Sequence, residues 1–519
     1  LDAADHVVAD QSAALAFLAD PGTHGTAEPP TRIDTHGAIV FLTERDAYKV
    51  KRAVRFPFMD YSTLAKRQAA CEAEVAVNAA NAPTLYRGVL AITRNGRGLA
   101  LGGSGEPVEW LVHMARFDER QTLDHVAERG GLTPSLIGRL VEAILASHQR
   151  APLRDGRGAS ESLRLYLRQN AAAYAEFPDL FPPARAGALT ARADAELDAL
   201  WPLLLERGRA GFVRRCHGDL HLRNIVLLDG EPTLFDAIEF DDAIATGDVL
   251  YDLAFLLMDL WERGLKAEAN LVLNRYLWAG PDAQLPGLAA LPTLLSIRAG
   301  IRAKVLAAAI AHQPDAERGR MEAEARRGFE AASAFLNPGP PRLVAVGGLS
   351  GSGKSTLAAA LAPRLGRAPG AIHLRSDIER KRLAGVAETD RLPPESYTPD
   401  AAARVYASLL GKARTCLRAG QSVVLDAVYA AAEERRDAER LAAELGLAFD
   451  GLWLSAPEAV LAQRVGSRVG DASDADAAVV RRQAAYDLGA MNWTEIDGTG
   501  PLAAVTAAAA RRLEAAAAG

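Results

Sequence analysis

Cysteine is scarce in this chain: Cys71, Cys216 and Cys416 are the three in 519 residues, far apart and forming neither a CxxC pair nor a metal-spaced set. That excludes a disulfide framework and fits a reduced, cytoplasmic compartment. Long hydrophobic runs are missing as well. The apolar stretch "YDLAFLLMDLW" at 251–261 is interrupted by acids and too short to span a bilayer, and no basic, apolar, small-residue signal opens the chain. An excess of charge of one sign is absent too. Lys and Arg number 59 against 65 Asp and Glu, a net charge of −6, so there is no general pull toward nucleic acid or an anionic membrane. What is present is 49% hydrophobic and 24% charged residues, the composition of a soluble globular protein. A chain of 519 residues exceeds what one hydrophobic core organises, which predicts two or three domains.

The clearest seam is "NPGPP" at 337–341, where prolines and a glycine end the helical pattern of "AERGRMEAEARRGFEAASAFL". A buried-strand pattern, "RLVAVGG", follows at once. The expected organisation is a leader segment over 1–29, one domain over 30–336 and a second over 342–519. Within the first, "AIVFLT", "AYKVK" and "WLVHM" read as strands, separated by a helix through "STLAKRQAACEAEVAVNAA". Helical patterns at 160–174, 188–207, 248–262 and 294–312 then dominate, with short strands at "IVLL" and "PTLFDA". A strand-rich half followed by a helix-rich half predicts a two-lobed α+β domain. Past the seam, strands at 343–347, 371–375, 422–426 and 450–454 alternate with helices, as a parallel α/β sheet requires.

Two motifs carry chemistry. In "HGDLHLRN" (217–224) an acid, Asp219, stands two places after His217 and five before Asn224, and "LFDAIEF" sets Asp236 at a strand end with Glu239 three residues on. Phosphoryl transfer needs an acceptor hydroxyl positioned and phosphate charge neutralised through magnesium. Asp219 suits the first task as proton acceptor, and Asn224 and Asp236 suit the second as hard oxygen ligands. His217 reads as structural support for the loop, and Asp248 and Asp252 as a helix cap and a loop brace. Arg298 and Arg302, four apart on one helix face, offer an acceptor-side cation pair or else a solvated or acid-paired stripe.

Together these residues resemble the aminoglycoside phosphotransferase family, relatives of protein kinases, over roughly residues 30 to 336. The resemblance implies Asp219 as catalytic base and Asn224 and Asp236 as magnesium ligands. "DAYKVK" repeats the Ala-x-Lys end of the kinase third strand, so Lys49 is expected at the nucleotide phosphates, with Lys51 a rival on the same strand face. The next helix offers Glu72 or Glu74 as ion-pair partner, and similarity to the family favours Glu74. The glycine-rich loop of protein kinases is absent, since only Gly37 falls in the matching region.

The second motif, "GLSGSGKST" at 348–356, satisfies G-x-x-x-x-G-K-[ST] between a strand and a helix. Gly348, Ser350, Gly351, Ser352, Gly353, Lys354, Ser355 and Thr356 are therefore the expected phosphate cradle, with Lys354 on the terminal phosphates and Ser355 on magnesium. "AIHLRSDIERKRL" ends a strand with Asp377, a candidate base, and places Arg380 one turn on, a candidate grip on the acceptor. "SVVLDA" puts Asp426 at another strand end as a candidate metal ligand, and Arg464 and Arg468, four apart, are placed for a lid over the nucleotide or else form a solvated helix face. Ser473 and Asp474, in "DASDADAAVV", read as caps of the following helix. This half is similar to small P-loop kinases of the polynucleotide kinase, gluconate kinase and zeta-toxin kind, over roughly 342 to 515. The whole resembles a bifunctional fusion of the two types.

The leading expectation is a double kinase that transfers the γ-phosphoryl of ATP or GTP, with magnesium, to hydroxyls of small molecules. Two alternatives are a kinase gated by a nucleotide-sensing partner domain and a P-loop half acting on nucleic-acid 5′-hydroxyls. Retention of both Asp219 and Asp377 speaks against the first. The acidic overall balance speaks against the second.

Overall fold

Along the strand Asp46–Lys51 successive side chains point to opposite faces of a sheet, and the sequence uses both faces. Tyr48 and Val50 join Ile39, Phe41, Ile92 and Leu111 on one side, where Ala14 and Leu18 of the helix Ser12–Ala19 cover them. Ala47 packs on the other side with Cys71, Leu85 and Val112, beneath the helix Leu64–Asn78, and Lys49 and Lys51 share that face. Leu18 and Phe41 are fully covered, and each such side chain stabilises by roughly 1.5–3 kcal/mol. The helix that covers this face comes from the segment expected to be a leader.

This computed structural model describes residues 6–35, 37–56, 59–310, 315–467 and 472–518. The chain forms two units, 1–263 with 293–333 and 264–292 with 334–519. In the first, a six-stranded antiparallel sheet runs Thr31–Asp34, Ala38–Leu42, Asp46–Lys51, Glu106–Ala115, Tyr86–Asn95, Gly98–Leu101 in spatial order. The helical part is led by Gly156–Glu176 packed along Pro183–Arg209. They approach so closely at Gly156 and Gly208 that a Cβ on either would stand 2.6 Å from the other's Cα, which is why both are glycine. A hairpin, Ile225–Leu228 with Glu231–Leu234, turns at Asp229–Gly230, both with positive φ. Asp-Gly is the pair such a two-residue turn demands.

The second unit holds a five-stranded parallel sheet in the order Ile372–Arg375, Val423–Asp426, Arg342–Gly348, Ala448–Ser455, Thr494–Asp497. Its strands agree with the sequence reading except for the last, "TEID", whose polar makeup hides a strand that is only half covered. Val344, Val346, Val424, Leu452 and Leu454 form the core beneath the helix Lys354–Leu361, which adds Leu357 and Leu361. The helix Lys266–Ala279 and the turn of 3-10 helix Asp282–Ala289 belong to this unit by packing, although the expected first domain contains them in sequence. No helix among the described residues is long and apolar enough to cross a membrane.

One buried ion pair ties the helical part of the first unit together. Arg207 donates from Nε and Nη2 to the two carboxylate oxygens of Asp248, each at 2.7 Å. Asp248 also caps the helix Val249–Glu262 through the amide of Leu250. Removing one partner leaves an uncompensated buried charge, so Arg207→Ala should destabilise this unit by about 3–5 kcal/mol. Urea unfolding read on the unit's own transition checks it; a loss within the scatter of surface substitutions would show that the pair is replaceable.

Candidate functional site

The hairpin sets the first constellation. Because Ile225 pairs with Leu234, the residues flanking the two strands, Asn224 before and Asp236 after, emerge at the same end. Asn224 donates through Nδ2 to the Asp219 carbonyl at 3.0 Å and to its carboxylate at 2.9 Å, which leaves the Asn224 carbonyl oxygen available to a cation. Asp236 sits at φ 59°, a left-handed conformation that for a non-glycine residue costs of order 1–3 kcal/mol. Three partners hold it there. Tyr86 Oη accepts from its amide at 3.1 Å, Asn78 brackets the next residue through the Ala237 amide at 2.8 Å, and Lys49 Nζ donates to its Oδ1 at 2.6 Å.

Lys49 also reaches Glu74 Oε1 at 2.8 Å, while Lys51 lies 2.5 Å from Glu74 Oε2 and pairs with Glu239 as well. The two lysines, alternatives by sequence, thus both engage Glu74, and Glu72 instead accepts from Gln68 on the outside of the helix. Glu74 is completely buried. Burial would raise its carboxyl, but the charges of Lys49 and Lys51 hold it below the ordinary value. Burial would lower both lysines, and Asp236 and Glu74 keep Lys49, Glu74 and Glu239 keep Lys51, above theirs. Asn78 stands four residues after Glu74 on the same helix face, a spacing that makes it findable from sequence once Glu74 is placed.

The loop around Asp219 is braced from behind. Asp252 accepts from the Gly218 amide at 2.8 Å and stands 3.1 Å from His148 Nε2; Asp259 accepts from the Leu222 amide at 3.1 Å. His217 donates to the Phe235 carbonyl at 2.9 Å, joining the loop to the Asp236 segment. Arg298 donates to the carbonyls of Gly218 and Tyr251 with its guanidinium 3.8 Å from the Tyr251 ring centre, and Arg302 pairs with Asp259 at 2.6 Å. These arginines are therefore structural, the acid-paired alternative for Arg302 and a loop anchor for Arg298. His148, Cys216 and Asp252 lie close enough to suggest a metal site, but the bonds of Asp252 to Gly218 and His148 make it part of this brace. Asp219 keeps 37% of its side chain exposed, and His221 Nε2 lies 3.3 Å from its Oδ2. Burial would raise the Asp219 carboxyl; the hydrogen bond and charge of His221, with His217 and Arg298, hold it below the ordinary value. An ionised, reachable carboxylate is what a proton acceptor requires.

In the second unit the strand Arg342–Gly348 runs into the glycine loop and then the helix Lys354–Leu361. Gly351 and Gly353 adopt φ 87° and 95°, and a Cβ at Gly351 would come within 2.5 Å of the Leu461 carbonyl. The loop can therefore turn its amides inward only as glycine, at the positive end of the helix. The Ser350 amide donates to Gln483 Oε1 at 2.8 Å, a contact from the helix Ala477–Ala484 that the sequence did not signal. Lys354 is buried. Ser355, half-buried, and Thr356, exposed, follow it in the first helical turn. Asp426, at the end of its strand, is 2% exposed, with Oδ2 3.2 Å from His373 Nε2 and 3.6 Å from Arg375 Nε. Burial would raise its carboxyl, but the His373 hydrogen bond and the charges of His373, Arg375 and Lys354 bring it down to about 2. Asp426 Oδ1 and Ser352 Oγ are both buried without a hydrogen-bond partner among the described residues. Buried polar atoms are normally satisfied, so this set has capacity left for a cation and phosphate oxygens, and magnesium fits it.

The other expected residues are dispersed. Asp377, in the first turn of Ser376–Ala384, makes no hydrogen bond or ion pair among the described residues. Arg380 donates to the Ser396 carbonyl at 2.8 Å and stacks on Tyr397, so its guanidinium is already engaged. Arg464 donates to the carbonyls of Gly498 at 2.9 Å and Ser352 at 3.4 Å, lying against the back of the glycine loop. Arg468 lies outside the described residues. Asp474 does not cap a helix, which Asp476 does; it gathers Lys381 at 2.8 Å and the Leu392 amide at 3.0 Å.

Two family models match the chain: one described as a phosphotransferase enzyme family over residues 43–286, and one described as an AAA domain over 343–487. The Mycobacterium tuberculosis protein Rv2004c and the Mycobacterium bovis protein Mb2027c, both described as uncharacterized, are each 31% identical over 484 residues, covering 90% of this chain and 92% of the relative. Among solved structures, a choline/ethanolamine kinase family protein from Mesorhizobium loti is 16% identical, with a TM-score of 0.37, over 62% of this chain and 97% of that one. A gluconokinase from Sinorhizobium meliloti is 24% identical, with a TM-score of 0.25, over 34% of this chain and 93% of that one.

The Asp252 brace gives a pH signature. Burial would raise its carboxyl, but the hydrogen bond and charge of His148, with His217 and Arg298, hold it below the ordinary carboxylate value. A depressed folded value means that its stabilisation is complete above the unfolded value and is lost as pH falls through the folded one. Thermal melts of the wild type and Asp252→Asn between about pH 7 and 3 should therefore converge toward acid. A gap that stays constant would show that the charge of Asp252 contributes nothing.

Proposed function

This chain belongs to the family that joins a phosphotransferase domain to a P-loop kinase domain in one polypeptide, and on that premise we propose a double kinase with two separate γ-phosphoryl-transfer sites. The observation that supports it is the duplication of parts. Each unit gathers its own lysine, its own carboxylate held ionised and its own uncommitted oxygen donors, and neither set draws on the other.

In the first site Asp219 takes the proton of the acceptor hydroxyl as it attacks, and Lys49, oriented by Glu74, neutralises the donor phosphates. Lys51, itself paired with Glu239, holds the other oxygen of Glu74. Asn224 and Asp236 would hold magnesium. In the second site Asp377 takes the acceptor proton. The amides of Gly351 and of Gly353 to Thr356, with the Lys354 side chain, position the phosphates, Ser355 and Asp426 would hold magnesium, and Arg380 and Arg464 shape the pocket walls. The cation, when bound, supplies neutralisation of phosphate oxygens; all other steps are positioning and proton transfer by these side chains. ATP or GTP is the donor. The acceptors are small hydroxylated molecules, since the chain has a net charge of −6 and no footprint for nucleic acid.

Separate inactivation tests this. Asp219→Ala and Lys354→Ala are assayed for ADP release and product across sugars, aminoglycosides, nucleosides and a 5′-hydroxyl oligonucleotide. Each variant should abolish one product by about 10²–10⁴-fold and spare the other. If Lys354→Ala instead only shifts the rate or affinity of the first reaction, the second unit is a regulator. A phosphorylated oligonucleotide would make it a nucleic-acid kinase.

A further inference from the structure

The helix Lys266–Ala279 lies inside the stretch matched as a phosphotransferase family, yet packs in the P-loop unit. The five-stranded sheet there ends at Ile372–Arg375, and an edge strand presents a row of unpaired backbone groups. Three side chains spaced four residues apart on the helix, Asn270, Asn274 and Trp278, take up those groups in turn. Asn270 Nδ2 donates to the Ala371 carbonyl at 3.0 Å. Asn274 accepts from the His373 amide at 2.8 Å and donates to the Ala371 carbonyl at 3.3 Å. Trp278 Nε1 donates to the His373 carbonyl at 2.9 Å. Flanking ion pairs, Arg275 with Glu388 and Asp282 with Arg382 at 2.9 Å, fasten the segment on either side.

An apolar helix face would cover the edge equally well but leave these backbone groups unsatisfied. The asparagines and the indole do something narrower, which is to bond both the N–H and the C=O of His373. A residue held at both backbone groups has little freedom in φ and ψ, so the direction of its Cα–Cβ bond is set and only its rotamers remain, which the bond to Asp426 selects. The His373 imidazole, 3% exposed, is aimed at Asp426 Oδ2, 3.2 Å away. The other oxygen of that carboxylate, Oδ1, is the one buried without a hydrogen-bond partner among the described residues.

We propose that Asn274 and Trp278 are positioning residues of the second site: by anchoring His373 they orient Asp426 so that Oδ1 faces the divalent cation that accompanies the nucleotide. This rests on the reading of Asp426 as the metal-organising carboxylate. It follows that a chain beginning at the 337–341 seam lacks a working part of its own metal site, because that part lies some sixty residues upstream.

The test uses the full chain carrying Asp236→Asn, which removes the first site's metal ligand. Mn2+ binding in the presence of a saturating non-hydrolysable triphosphate is followed by electron paramagnetic resonance. Asn274→Ala, and separately Trp278→Phe, which keeps the ring and removes only the donor, should each weaken Mn2+ binding by about 10-fold or more, the range for residues that orient metal ligands. Triphosphate affinity measured without divalent cation should stay unchanged. Unaltered Mn2+ affinity in both variants overturns the proposal, and so does a parallel loss of Mn2+ and of metal-free triphosphate binding, which marks a merely structural role. Asp426→Asn separates the two levels. If it leaves Mn2+ affinity intact, the reading of Asp426 itself falls. If it abolishes Mn2+ binding while the helix variants do not, only the positioning role falls.

Discussion

A carboxylate taken out of water stays ionised only if cations go with it, and Glu74 is the plainest case in this chain. It has no exposed surface and stands between Lys49 and Lys51, which in turn reach Asp236 and Glu239. Moving such a group into the interior costs several kcal/mol unless the charges meet in good geometry. The strand Asp46–Lys51, the helix Leu64–Asn78 and the segment 235–239 are therefore locked into one register. A slip of one residue in the strand would turn both lysines to the opposite face and strand Glu74. The P-loop unit obeys the same constraint with other parts, since Asp426 is kept ionised by His373, Arg375 and Lys354.

This constraint also links fold to chemistry. Phosphoryl transfer asks a protein mainly for fixed charges in fixed places. In the first unit the hairpin turn at Asp229–Gly230 delivers Asn224 and Asp236 to one end, and bonds from Asp252, Asp259, His217 and Arg298 hold the Asp219 loop against them. In the second, glycines with positive φ fold the amides around the helix terminus. The two scaffolds match different family models, one for each unit's motif.

What the sequence made legible is what depends on local spacing. The glycine loop, the 217–224 loop, the short strands on either side of residues 229–230 and four of the five parallel strands follow from residues close together, because backbone conformation there is dictated by neighbours. Lys49 against Lys51 could not be settled by spacing, since both occupy one strand face, and the structure engages both. Helix periodicity places Arg298 and Arg302 together but leaves a substrate grip and an acid-paired stripe both open; tertiary contact decides, since Gly218, Tyr251 and Asp259 already occupy them. The docking of Lys266–Ala279 on a strand a hundred residues later left no local trace. No helix is read over 266–279 from sequence, and its asparagines carry no signal until the strand edge they satisfy is known. The strand Thr494–Asp497 was hidden for the opposite reason, having too few apolar residues to show a pattern.

The central claim is that one polypeptide carries two complete, independent nucleotide pockets. Calorimetric titration of the full chain with a non-hydrolysable ATP analogue and magnesium measures it most directly. Saturation at two equivalents per chain is the predicted result, and saturation at one would contradict it.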